Sequence, residues 1–315
     1  MLAVVVDHAA PNHLALRDVA PPSPAPSEAL VRAAAFSLNR GEIQRAMNAK
    51  AESRPGWDIA GTVEKAAADG SGPAVGTRVV GLAAIRAWAE LVAVPTDALA
   101  TLPVDVSFTQ AATLPVAGLT ALHAVERATG LIGRKVLVTG ASGGVGLFAC
   151  QLAHLAGARV AGLVRDAKHA AMVEGAGAER AIISIDGTAA KDFGPYRLIV
   201  ESVGSGVLEN VVGMLAPDGV CVSFGATAGA DIPYNLWSLI GTGGASLYGL
   251  GIFNALKRES AAIGLERLVY LVATQRLRPH VAVEASWTEV GQVAQQLLDR
   301  RMAGKAVLRI DSHDQ

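Results

Sequence analysis

Val136-Leu137-Val138-Thr139-Gly140-Ala141-Ser142-Gly143-Gly144-Val145-Gly146 joins a short apolar strand to an amphipathic helix, and this junction decides the fold. A dinucleotide pyrophosphate needs a tight turn, a close backbone approach and a helix N-terminus aimed at it. The spacing Ala141-x-Gly143-x-x-Gly146 provides these, with Ala in the first place. Such glycines also occur in purely structural turns, so their setting gives them weight. The pattern predicts a strand over 135–139, a helix over 144–156 and a second strand over 159–164. Val145, Phe148, Ala149, Leu152 and Ala156 share one face of that helix, and Gly157 closes it. Gly140, Ala141, Ser142, Gly143, Gly144, Val145 and Gly146 are therefore the expected phosphate-binding residues.

Outward from this unit, from about Thr109, long helical patterns alternate with apolar strands at 181–185, 198–203 and 219–224, which predicts a parallel α/β sheet. Thr120, ahead of the first strand, and Val203 and Gly225, at the ends of the fourth and fifth, complete the expected cofactor contacts. Cofactor choice turns on Leu163-Val164-Arg165-Asp166-Ala167-Lys168 at the end of the second strand. An acid there would hold ribose hydroxyls, and a cation would accommodate a 2′-phosphate. Val164 is neutral where the acid is expected, and Arg165 and Lys168 favour NADPH. Asp166, turned inward, would favour NADH.

The first third reads instead as short strands at 2–6, 29–34, 61–64 and 78–81, broken by Pro and Gly clusters, with Pro21 to Pro26 as an extended connector. After Pro279 come a β-like segment, a helix around 288–302 and a last strand at 306–310. The 315 residues suffice for two domains, and the 51% hydrophobic content supplies their cores. A formal net charge of −1 and 17% charged residues argue against nucleic acid or an anionic membrane as partner. Cys150 and Cys221 lie in apolar runs and imply no disulfide framework. The stretch from Met1 to Asp7 has no basic residues ahead of its apolar ones, so a cytoplasmic protein is expected.

Four further stretches resemble the medium-chain dehydrogenase/reductase family. Pro55-Gly56-Trp57-Asp58-Ile59-Ala60-Gly61 resembles its Pro-Gly-His-Glu-x-Ala-Gly turn, and Val75-Gly76-Thr77-Arg78-Val79 its Val-Gly-Asp-Arg-Val. Leu114-Pro115-Val116-Ala117-Gly118-Leu119-Thr120-Ala121 resembles the domain junction, and Gly304-Lys305-Ala306-Val307-Leu308 the closing strand. The resemblance implies a GroES-like β-barrel catalytic domain over 1–118, completed by 283–315. It also implies a Rossmann domain with a doubly wound parallel sheet over 119–282, and an active site in the cleft between them. Homodimerisation through material near 244–251 is a further implication.

Departures from the family refine the expectation. Zinc-dependent members place a metal-binding Cys where Asn39 stands and a metal-binding His where Trp57 stands, and two separated cysteines cannot supply a structural Cys₄ site. Leu38-Asn39 resembles the zinc-free quinone oxidoreductases, although Gln44 and Lys50 replace the tyrosines that typically follow. The segment from Ser107 to Pro115 resembles enoyl reductase domains of polyketide synthases. Without a metal, hydride transfer suits a quinone or an α,β-unsaturated carbonyl, which delocalises charge onto oxygen. Asn39 is the expected hydrogen-bond donor to that oxygen, or else a side chain bridging turn backbone. Tyr248 and Lys305 are candidate proton donors, and Arg40 and Trp57 candidate substrate-cleft walls. An enoyl reductase acting on a polyketide-type intermediate is the alternative. An NADPH-binding sensor or structural protein without turnover is the alternative of another class.

Overall fold

The computed structural model describes residues 1–231 and 236–310. Within them the chain forms two compact units, one from Met1–Leu119 with the segment from Leu256 onward, the other from Thr120–Ala255.

In the first unit, a hairpin of β1 (Leu2–Val6) and β2 (Leu14–Asp18) precedes the connector. The long β3 (Glu28–Leu38), α1 (Arg40–Met47), β4 (Asp58–Lys65), β5 (Arg78–Leu82), β6 (Leu91–Pro95), β7 (Leu99–Thr101) and α2 (Phe108–Ala112) follow. Inward-facing residues alternate along the first half of β3 (Ala29, Val31, Ala33), as one buried sheet face requires. Its second half, Phe36 to Leu38, is buried at every position and pairs with β15 from the far end of the chain.

The second unit opens with α3 (Leu119–Glu126). It continues through β8 (Lys135–Val138), α4 (Gly144–Leu155), β9 (Arg159–Val164), α5 (Ala170–Gly175), β10 (Arg180–Ile183), β11 (Tyr196–Glu201), α6 (Ser205–Val212) and β12 (Leu215–Ser223). The short α7 (Leu236–Ile240), β13 (Ser246–Gly249) and α8 (Ile252–Ala255) close it. All six strands are parallel, in the order β10-β9-β8-β11-β12-β13. This is the doubly wound dinucleotide-binding order, with its switch point between β8 and β11. Leu137, Leu163, Ile199 and Cys221 from neighbouring strands build its core against Val207, Leu208 and Val211 of α6.

The chain then returns to the first unit with α9 (Ala261–Ala273), α10 (Val290–Leu298), β14 (Val281–Ser286) and β15 (Lys305–Arg309), and the sheet order is β14-β15-β3-β4-β5-β7 with β6 on β3. Return comes at Leu256 rather than at 283, because α9 buries Ala261, Leu265, Leu268, Val269 and Val272 and sets Leu268 against Gly118. A Trp287, Trp88 and Phe36 core holds both ends of the chain together. Both cysteines are buried and unbridged, and burial pushes the Cys150 thiol up to about 12. Among the described residues no helix is long and apolar enough to cross a membrane.

Candidate cofactor and active site

At the end of β8 the chain turns at Gly140, in the left-handed region at φ +55°. The Ala141 N–H donates to Leu163 O at 3.1 Å, tying the turn to β9, and the Gly143 N–H donates to Gly140 O at 2.9 Å. Gly143 is extended and starts α4. A Cβ on Gly146 would lie 2.4 Å from Gly140 O, so only glycine lets the helix lie directly on the turn. The first amides of α4, at Gly144 and Val145, have no carbonyl within the helix to accept them. They present donors and the positive end of the helix dipole, while Ser142, Gly143, Gly144 and Val145 are all half-buried. Donor set and cradle fit a diphosphate.

Around this turn the expected residues divide. Arg165 is exposed at the end of β9 and has no hydrogen-bond or ion-pair partner among the described residues. Asp166 does not turn inward. Its Oδ1 accepts the Lys168 N–H at 3.0 Å and its Oδ2 pairs with Lys168 Nζ at 2.9 Å, so it caps the short turn Ala167–His169. The Lys168 contacts hold its carboxyl below the usual carboxylate range. Thr120 is buried at the start of α3. Val203 donates its N–H to Glu201 Oε1 at 2.6 Å, and a Cβ on Gly225 would lie 3.0 Å from Ser202 O, so these two residues belong to one rim. Tyr248 sits on β13 with the Arg127 guanidinium 4.2 Å above its ring.

In the first unit, Asn39 and Lys305 come together in a buried cluster that changes the roles expected for both. Asn39 precedes α1. Its Nδ2 donates to Asp58 Oδ2 at 2.7 Å and to Glu42 Oε1 at 3.0 Å, and its backbone N–H also donates to Glu42 Oε1, at 2.7 Å. Its Oδ1 accepts from Lys305 Nζ at 2.6 Å. Both amide hydrogens are thus engaged, and donation to a substrate oxygen would break one of these bonds. Its side chain thus bridges the side chains of Glu42, Asp58 and Lys305, where a substrate oxygen or turn backbone was expected. Lys305 is only 4% exposed, and its ammonium also donates to Leu38 O at 2.9 Å, with Asp58 Oδ2 at 3.5 Å, so its three hydrogens face protein oxygens.

Asp58 is the centre of this cluster. Its carboxylate also accepts from the Ser37 hydroxyl and, at 2.9 Å, from the Val116 N–H, so one side chain joins β3, α1, β4, β15 and the segment Leu114–Gly118. Glu42 Oε2 is buried without a hydrogen-bond partner. Burial, with Asp58 beside it, pushes the Glu42 carboxyl well above the usual range, and burial pulls the Lys305 ammonium below its usual value. Arg40 turns its Nη1 onto Leu298 O at 2.9 Å and Leu297 O at 3.3 Å, capping the end of α10. Trp57 is half-buried, with the Arg45 guanidinium 5.8 Å from its ring centroid.

Sequence reading named neither Glu42, Asp58 nor Glu201 as functional. The available signal was a charged residue inside or at the end of an apolar strand pattern, as in Leu198-Ile199-Val200-Glu201.

Residues 25–104 match the model of the alcohol dehydrogenase GroES-like domain, and residues 144–266 that of the zinc-binding dehydrogenase family. The chain is 30% identical to a quinone oxidoreductase of Pseudomonas aeruginosa over 314 residues, 95% of this chain and 96% of that protein. It is 34% identical over 210 residues to a spectinabilin polyketide synthase system protein of Streptomyces orinoci, 64% of this chain but 10% of that one. Among solved structures, Escherichia coli quinone oxidoreductase complexed with NADPH superposes with a TM-score of 0.88 at 26% identity, covering 98% of this chain and 100% of that one.

Proposed function

Given that the chain belongs to the medium-chain dehydrogenase/reductase family, in its quinone oxidoreductase type, and is an NAD(P)H-dependent oxidoreductase, we propose that it uses NADPH to reduce a quinone or an α,β-unsaturated carbonyl. The observation that carries this reading is the glycine turn beside the β8/β11 switch point, where the cradle and the α4 amides fit a diphosphate. When bound, NADPH supplies a hydride from its nicotinamide ring. Ser142, Gly143, Gly144 and Val145 would hold the pyrophosphate, and Arg165 would meet the 2′-phosphate, with Lys168 shared between that group and Asp166. The acceptor takes hydride at an electron-poor carbon, charge moves to its conjugated oxygen, and a proton completes the reduction.

Asn39, Asp58 and Lys305 act in this reading as positioning residues: they fix the backbone from which Arg40 and Trp57 project. A zinc-free reaction is part of the proposal. The Asn39 oxygen is already held by the Lys305 ammonium, and the Trp57 ring offers no lone pair to a metal. The segment-long similarity to a polyketide synthase protein supports an enone, in the form of an enoyl thioester, as the second reading.

With NADPH deuterated at C4, the label is expected on the β-carbon of a reduced enone, or as a primary isotope effect on quinone reduction. If no acceptor in a broad panel of quinones and enones oxidises NADPH, a sensor or structural role replaces turnover.

A further inference from the structure

Glu201 ends β11 with none of its surface exposed, and donors from three chain segments converge on its carboxylate. Oε1 accepts the N–H groups of Val203 at 2.6 Å and Gly204 at 2.9 Å and the Thr139 hydroxyl at 3.3 Å. Oε2 accepts the Ser223 hydroxyl at 3.3 Å. Thr139 Oγ1 in turn accepts the Ser202 N–H at 3.0 Å, and Glu201 O accepts the Phe224 N–H at 3.0 Å. Among the described residues no lysine or arginine bonds this carboxylate, so neutral donors alone compensate its burial. Burial raises the carboxyl above its usual range, and these hydrogen bonds oppose the rise.

The segments it gathers are those that surround the glycine turn. Thr139 directly precedes Gly140, Val203 and Gly204 lead into α6, and Ser223 ends β12 just before Gly225. Gly204 has φ +75°, and a Cβ there would lie 2.3 Å from Gly229 O, so this turn is demanding and two of its amides close onto Glu201. Through these bonds one side chain joins the ends of β8, β11 and β12.

We propose that Glu201 is a positioning residue for NADPH binding, which locks the C-terminal ends of β8, β11 and β12 into one preformed rim. The inference rests on the NADPH reading above. A rim ordered before binding spares the ligand the entropic cost of ordering three loops, so the effect falls on cofactor affinity rather than on turnover of the loaded enzyme.

The test uses the full chain with Glu201→Ala, Glu201→Gln and Thr139→Val, measuring NADPH affinity by nicotinamide fluorescence and kcat at saturating NADPH. Glu201→Ala is expected to weaken NADPH binding ~10-fold or more with kcat within about twofold, Glu201→Gln to stay within about threefold of wild type because Oε1 remains an acceptor, and Thr139→Val to fall between. Wild-type affinity in Glu201→Ala overturns the proposal, as does Glu201→Gln binding as weakly as Glu201→Ala. Should Glu201→Ala fail to fold, Thr139→Val decides in the same way, unchanged affinity overturning the proposal. A wild-type chain that binds no NADPH overturns the cofactor reading and this inference together, whereas binding that no variant alters overturns this inference alone.

Discussion

A carboxylate removed from water must collect donors or take up a proton, and Asp58, Glu42 and Glu201 resolve that requirement differently. Asp58 collects Ser37, Asn39, Val116 and Lys305. Glu42 keeps one oxygen unpartnered, beside the like charge of Asp58, and its carboxyl is raised well above the usual range. Folding then favours the neutral acid more than the unfolded chain does. Below an unfolded carboxyl pKa of about 4.3 the full stability is present, and it is lost as pH rises through the raised folded value. The loss is about 1.4 kcal/mol for each tenfold difference in proton affinity between the folded and unfolded chain. Glu42→Gln keeps an acceptor for Asn39 and cannot ionise. Its melting temperature relative to wild type should therefore rise from acid toward neutral pH; a difference independent of pH would mean that folding does not shift the Glu42 carboxyl. Arg165 is an exposed cation at the end of β9, without an ion-pair partner among the described residues. Arg165→Ala should lower NADPH affinity about ten- to a hundredfold, the worth of a charge-assisted phosphate contact of about 1.5–3 kcal/mol, and leave NADH binding nearly unchanged. An unaltered NADPH/NADH ratio removes Arg165 from the site.

Among elements, those with a strong local pattern lie close to where periodicity puts them. The predicted helix 144–156 is α4 over Gly144–Leu155, and Phe148, Ala149 and Leu152 are buried on it, but Val145 is half-buried and Ala156 exposed. Strand β11 stops at Glu201, two residues before the predicted end, because the Glu201 carboxylate pulls the next amides into a turn. The helix expected at 288–302 shortens to α10, whose last carbonyls are taken by Arg40 from the other end of the chain. Among the described residues β13 pairs only with β12, leaving its outer edge open, with Leu247 on this strand and Leu236, Trp237 and Ile240 exposed on α7. An open edge beside exposed apolar side chains is a pairing surface. A homodimer across it is the expectation. Leu247→Lys should shift sedimentation from dimer to monomer, and a wild-type chain that sediments as a monomer removes the interface.

For the molecule as a whole, the first unit is assembled from both chain ends, and the Lys305–Asn39–Asp58 contacts are where they meet in a polar core. Here an ammonium supplies the positive charge that faces the Asn39 oxygen and the Asp58 carboxylate. We expect purified protein to hold no stoichiometric zinc by elemental analysis and chelators to leave its activity unchanged. About one zinc per chain, with activity abolished by chelation, would contradict this. Lys305→Met should destabilise the fold by about 3–5 kcal/mol, the cost of leaving one partner of a buried pair uncompensated.

Local chemistry is what the sequence by itself determined. The β, then α/β, then β order, the glycine turn with its cofactor class and the departures at Asn39 and Trp57 were all legible, because each rests on residues within a few positions of one another. Tertiary structure alone decided what those residues touch. Asn39 meets Lys305 across 266 positions, Thr139 meets Glu201 across 62 and Arg40 meets the end of α10 across 258. A buried polar group takes whatever donor or acceptor the packing delivers, so a side chain expected at the substrate became an internal bridge. Similarly, α9 joined the first unit because its apolar face found a partner there, a choice made by burial and invisible to periodicity.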